Sequence, residues 1–370
     1  MSVISVNTES TDGAAMTQTS LSPTEFRKLQ RPLRIVLAGG SGHLGGLLRR
    51  HFSSQGHLVR VLSRRRDVVD ANAVWWDGLN PGEWVTELDG SDVLINLSGR
   101  SVDCRYTAVH RWEIMESRVR STQVLGDAIA RLEKAPRVWL NASTATIYRH
   151  EFVRDMNESS GAIGGAESNS APSWNFSIEV AKRWEEALWA CQTPDTRKVA
   201  LRSAIVMSPE RGGAFDVLLR LVRFGLGGAI GDGRQYVSWV HDTDFVRAVD
   251  HILSREQLTG AVNITSPGPI PNSEFMRTLR NAWGTPFGLS APLPLLELGT
   301  LLLRTESELV LKSRRVVPQR LVEDGFHFQF ANWTAAARDL VARWKNNRGH
   351  AAPAGIFHPP QEMRQHERTA

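Results

Sequence analysis

The clearest chemistry in the chain lies in Ile35-Val36-Leu37-Ala38-Gly39-Gly40-Ser41-Gly42-His43-Leu44-Gly45-Gly46, where an apolar run enters glycines at three-residue spacing. Such a turn suits the pyrophosphate of a dinucleotide. Gly39 permits a tight turn, Gly42 lets a phosphate approach the backbone, and Gly45 lets a following helix pack close to a sheet. His43 and Leu44 open that helix, whose first N–H groups favour negative charge. A second group closes the next apolar run, Val61-Leu62-Ser63-Arg64-Arg65-Arg66. A site selective for NAD(H) usually carries an acidic residue here for the ribose 2′-hydroxyl, and none is present. Guanidinium forks match a 2′-phosphate in shape and charge, so Ser63, Arg64 and Arg65 point to NADP(H).

These groups need a scaffold, and the hydrophobic pattern supplies one. Apolar runs at 34–38, 58–62, 73–76, 93–97, 138–142 and 199–206 alternate with helix-like segments such as 112–132 and 177–190. That alternation predicts an α/β fold, a doubly wound parallel sheet of the Rossmann type. After Pro209 the chain turns Gly-rich, and Pro267, Pro269 and Pro271 interrupt regular structure before a leucine-rich, helical stretch. The expected organisation is a flexible N-terminal tail over 1–31 and a nucleotide-binding domain over 32–207, completed by 235–265. A smaller, mainly helical C-terminal cap takes 208–234 and 266–344, and a second flexible tail takes 345–370.

With 370 residues, 41% hydrophobic and 22% charged, the composition is that of a globular protein and excludes a disordered, collagen-like or coiled-coil design. Cys104 and Cys191 are too few for a disulfide framework or a four-cysteine zinc site, which points to reduced thiols and a cytoplasmic location. A net charge of +5 suits anionic small molecules, and no nucleic-acid partner is expected. The first 31 residues lack the apolar core of a secretory signal, and the leucine-rich run at 293–303 is too short to span a bilayer. The twelve tryptophans are scattered in a way that suits packing. His241, Asp242 and Asp244 read as a helix-capping junction, so no metal is expected.

Further segments resemble the short-chain dehydrogenase/reductase superfamily in its atypical, extended branch. They are Trp76-Asp77, Asn96-Leu97-Ser98-Gly99, Glu116-Ser117-Arg118-Val119 and the stretch from Ser143 to Tyr148. Leu201 to Val206, Gly227-Gly228, Gly231 to Gln235, Ser238 to His241, Asn263 to Pro267, Ser313 to Pro318 and Gly325-Phe326 narrow the likeness. They are similar to a poorly characterised group labelled NAD-dependent epimerase/dehydratase or epimerase family protein, with its own C-terminal domain; some members are labelled cell-division inhibitors. The resemblance covers roughly 34–330.

It implies that Asp77, Asn96, Ser98 and Gly99 line the adenine and ribose, although Asp77 also suits the start of a turn and Asn96 an inter-strand amide bridge. It also implies a catalytic Tyr with Lys four residues later, since a phenol is a poor base at neutral pH without a neighbouring cation. None of Tyr106, Tyr148 and Tyr236 has that lysine. In the helix where the pair belongs, Ser177 or Ile178 takes the tyrosine place depending on alignment, and Lys182 takes the lysine role if Ile178 does. Ser143 or Thr144 is the candidate to polarise a carbonyl, and Tyr148 the candidate substitute acid. Two functions follow as expectations. One is an NADP(H)-dependent oxidoreductase or epimerase-like enzyme with a small polar substrate, in a chain that can form a homodimer and has no membrane partner. The other is an NADP(H)-binding redox sensor or scaffold whose catalysis has decayed.

Overall fold

The computed structural model of the chain describes residues 31–66, 70–165, 167, 172–290 and 312–349. In chain order the first half comprises β1 (Arg34–Ala38), α1 (His43–Ser54), β2 (Leu58–Ser63), β3 (Ala73–Trp75), α2 (Val85–Leu88), β4 (Val93–Asn96), α3 (Ala108–Ile129) and β5 (Val138–Thr144). A 3₁₀ turn (Ala145–Ile147) precedes α4 (Pro172–Ala190), β6 (Arg197–Ser203), β7 (Ile205–Met207), α5 (Ala214–Arg223), β8 (Tyr236–Val237) and β9 (Trp239–His241). The chain continues through α6 (Asp242–Ser254), β10 (Gly260–Ile264), β11 (Ile270–Pro271), α7 (Asn272–Trp283), α8 (Gln319–Glu323) and α9 (Trp333–Gly349).

Seven strands form one parallel sheet in the order β10-β6-β5-β4-β1-β2-β3. Because side chains alternate along a strand, one β1 sequence feeds two cores. Ile35 and Leu37 face α1 and α6 with Leu48, Phe52, Phe245 and Ile252. Val36 and Ala38 face α3 and α4 with Val124, Leu125 and Leu188. The reversal of chain direction along the sheet falls between β1 and β4, whose carboxyl ends open a crevice there, the usual place for a ligand in such folds.

The apolar run read as one strand over 199–206 is two. β6 stays in the large sheet, Ala204 donates its N–H to Ile264 at 3.0 Å, and β7 pairs with β9 in a separate two-stranded sheet. The segment read as Gly-rich loop holds α5, whose Phe215, Leu219 and Val222 are buried at helical spacing. With Phe275, Leu279, Trp333 and Trp344 they make the core of the cap. The last helix runs to Gly349, past the start at 345 expected for the C-terminal tail, because Leu340, Val341 and Trp344 anchor it in that core. The leucine-rich run at 293–303 and the residues beyond 349 lie outside the described residues. Among those described, no helix is long and apolar enough to cross a membrane.

Candidate functional site

The turn after β1 is built by contacts only glycine allows. Gly39 has φ +73°, and a Cβ there would lie 2.8 Å from the Ser98 backbone. A Cβ on Gly45 would lie 2.4 Å from Gly40, so α1 starts tight against the turn itself. Gly42, the N-cap of α1, differs: its nearest neighbour would be Gly39 O at 3.6 Å, and its open side faces the crevice. No acidic residue stands in the first turn of α1. Two recesses meet at Gly39, Gly42, Leu97, Gly99 and Arg100 and form one groove. One, of about 680 Å³, reaches Arg64, Arg65, Asp77 and Trp112; the other, of about 480 Å³, reaches Ser143, Thr144 and Ser177.

At the first end, Arg64 and Arg65 are exposed on the groove wall. Ser63 does not reach it: the side chain is buried, and its Oγ accepts from Arg65 N at 3.1 Å, shaping the turn that presents the arginines. Asp77 lines the wall, but its carboxylate accepts from Leu79 N, Asn80 N and Asn80 Nδ2, all at 2.8 Å. Burial pushes its pKa up, yet these bonds from Asn80 and Leu79 outweigh that and hold it below the usual carboxylate value. Asn96, expected to line the ribose, is 0% exposed, with its amide on Thr122, Asn141 and Ser98 N. It ties β4 to β5 and α3 and sets the following loop. Ser98 Oγ, by contrast, is buried at the groove with no hydrogen-bond partner among the described residues. His43 and Leu44 line the second recess, and His43 Nδ1 lies 3.4 Å from Glu210 Oε2.

At the second end, α4 turns Phe176, Ser177, Val180 and Trp184 to the cleft. Ile178 is buried against Gly164 and Gly165 on another face, and Lys182 does not line the cleft. The lysine role expected of Lys182 is therefore not met, since one residue along a helix turns a side chain by about 100°. Glu179, three residues before Lys182, pairs with Arg183 at 2.8 Å. Tyr148 is also placed elsewhere: it is 1% exposed, packs with Met156 and Val316, and donates to Asn263 Oδ1 at 3.0 Å while accepting from Arg202 at 3.0 Å. Burial raises its pKa against the opposing effect of Arg202. It cannot serve as the substitute acid in this cleft.

Ser143 and Thr144 both line the cleft, with opposite hydrogen-bonding sense. Ser143 donates to Glu185 Oε1 at 2.6 Å, and Glu185 is held by both arms of Arg202 at 2.8 Å. Thr144 Oγ1 accepts from Thr146 N at 3.1 Å, which leaves its proton for a ligand. Two residues went unrecognised in the sequence. Tyr106 lines the cleft, its hydroxyl 3.4 Å from Ser177 Oγ. Arg118 stands between Gly99 and the Trp184 ring, 5.0 Å from the ring centroid, and burial pushes its pKa down to about 10. Tyr106 sits in a loop with no periodicity to place it; the motif Glu116-Ser117-Arg118 was visible without a direction.

A dinucleotide fits this groove: the open side of Gly42, the unsatisfied Ser98 hydroxyl and the acid-free start of α1 all suit a phosphate-bearing ligand. A family model described as "NAD dependent epimerase/dehydratase family" matches 35–265, and one described as "Domain of unknown function (DUF1731)" matches 291–340. An epimerase family protein SDR39U1 of Bos taurus is 29% identical over 314 residues, 84% of this chain and all of that one. A crystal structure of human epimerase family protein SDR39U1 (isoform 2) with NADPH superposes with TM-score 0.73 at 26% identity, covering 83% of this chain and 99% of that one. UDP-N-acetylglucosamine 4-epimerase from Bacillus cereus shares the fold, with TM-score 0.65 at 17% identity over 89% of this chain and 99% of that one.

Proposed function

This chain belongs to the NAD dependent epimerase/dehydratase family, and we propose that it binds NADP(H) and acts as an oxidoreductase or epimerase-like enzyme on a small polar substrate. The observation that carries this reading is the single groove joining the Gly39–Gly45 turn and Arg64 to the Thr144 hydroxyl. The NADPH in the human relative's structure supports the same cofactor. Bound NADP(H) would supply or accept the hydride. The α1 N-terminus and Gly42 would hold the pyrophosphate, Arg64 and Arg65 the 2′-phosphate, and Ser98 would gain a partner. Thr144 donates to the reacting substrate oxygen. Ser143 accepts from a substrate hydroxyl. Tyr106 lines the cleft beside Ser177 and exchanges the proton there.

A second reading has its own observation. The cleft face of α4 carries neither tyrosine nor lysine, which favours a protein that binds NADP(H) to sense or scaffold with little turnover. Reduction of a panel of carbonyl compounds, followed by NADPH absorbance and compared with the Tyr106→Phe protein, separates the two. Turnover lost in the variant with NADPH binding kept supports the enzyme; tight NADPH binding without turnover across the panel supports the sensor.

A further inference from the structure

The substrate end of the cleft has a charge that the dinucleotide reading does not use. Among the described residues no Asp or Glu lines that recess, while Arg100, Arg118 and Arg314 do. Arg100 is paired with Glu113. Arg118 has no carboxylate partner among the described residues, and it donates a hydrogen bond to Ile114 O at 2.9 Å. A guanidinium has five N–H donors, and burying it without a counter-charge is unfavourable unless a ligand brings one. Gly99 makes room for it: a Cβ there would lie 3.0 Å from Arg118 Cζ. Arg118 lines the recess of Ser143 and Thr144 and is absent from the recess of Arg64 and Asp77. The walls beside it are apolar, from Phe176, Val180 and Trp184.

We propose that Arg118 is the anion receptor of the substrate end, holding a carboxylate or phosphate group of a substrate whose apolar body lies against Phe176, Val180 and Trp184. The inference rests on the groove being the cofactor and substrate cleft, and it narrows the substrate to an organic anion. With the anion on Arg118, an adjacent carbonyl or hydroxyl falls to the group of hydroxyls formed by Thr144, Ser143 and Tyr106.

Calorimetry on the full chain tests it, first with NADPH and then, on the NADPH-saturated protein, with three probes: phenylpyruvate, the neutral phenylacetone, and phenyl phosphate. A failed NADPH titration counts against the cofactor reading alone, and the probes are then titrated without it. Phenylpyruvate or phenyl phosphate should bind roughly tenfold to a hundredfold tighter than phenylacetone, the range of one or two charge-assisted hydrogen bonds. Whichever anion binds tighter identifies the group. Arg118→Gln should erase that preference and leave NADPH affinity within about twofold, while Arg118→Lys should keep part of it. Equal binding of all three probes, or of none, overturns the proposal even if Arg118→Gln does not fold. So does a variant that keeps anion binding and loses NADPH, because Arg118 would then serve the cofactor.

Discussion

The Ser143 hydroxyl donates its one proton to Glu185 Oε1 at 2.6 Å, and Glu185 is fixed by a bidentate Arg202. A carboxylate in that fork only accepts, so Ser143 presents lone pairs to the cleft, while Thr144 next to it keeps a proton to give. The pair therefore predicts unequal variants. Thr144→Val should lower carbonyl turnover by about 100-fold to 1,000-fold, the usual effect of removing a donor to a developing oxyanion. Ser143→Ala should lower it by about tenfold or less. Steady-state rates with either variant, at unchanged NADPH affinity, check the order; a larger loss in Ser143→Ala would reverse the assignment.

The glycines of the turn should separate stability from binding. Gly45→Ala forces a Cβ to within 2.4 Å of Gly40 and should destabilise the protein by about 1–3 kcal/mol in a urea melt. Gly42→Val meets nothing closer than 3.6 Å at its Cβ, so the chain should keep a cooperative melt. What it should lose is nucleotide binding, because the side chain fills the approach to the α1 N-terminus.

Cofactor choice follows from Arg64 and Arg65, exposed on the groove wall where an acidic ribose ligand is missing. NADPH should bind roughly tenfold or more tightly than NADH, and Arg64→Ala should shrink that gap without affecting NADH. Parallel calorimetric titrations decide it, and equal affinities would show that the arginines face solvent alone.

Acid should loosen the contact between α6 and α9. His241 is fully buried, stacked on Phe330 with centroids 3.8 Å apart; its Nδ1 accepts from Thr243 N, and its Nε2–H donates to Asp339 at 3.0 Å. Burial lowers its pKa, outweighing the nearby Asp242 and Asp339, with Arg343 acting in the same direction as burial. The unfolded chain then takes up a proton near pH 6.5 that the folded chain refuses, so the stability from a neutral His241 is present above that pH and lost as pH falls below it. The slope is at most about 1.4 kcal/mol per pH unit. Chemical melts from pH 7.5 to 5 should show this slope reduced in His241→Gln.

The parts legible in the sequence were those governed by local periodicity. The β1 run alternates between two cores, and the glycine spacing marks the tight turn after it, where Gly39 has φ +73°. The parts not legible depend on which way a short, non-repeating segment turns. Tyr148 follows a 3₁₀ turn that directs it to Asn263, and nothing in Ser143 to Tyr148 announces that direction. Lys182 misses the cleft because Ile178, one turn before it, lodges against Gly164 and Gly165 in the preceding loop. Asp77 and Asn96 were read with two roles each; in the structure Asp77 holds its own turn and Asn96 bridges strands, while Ser98 beside it keeps an open hydroxyl.

The break at Ala204 also bears on how the protein deforms. A single residue separates a strand of the large sheet from a strand of the β7-β9 sheet, and its N–H is pinned to Ile264. Ser203, Ala204 and Val206 all face the cleft. A ligand bearing on this stretch therefore touches both sheets along one continuous run of backbone. A shift of either sheet at this point is passed to the other through a single residue.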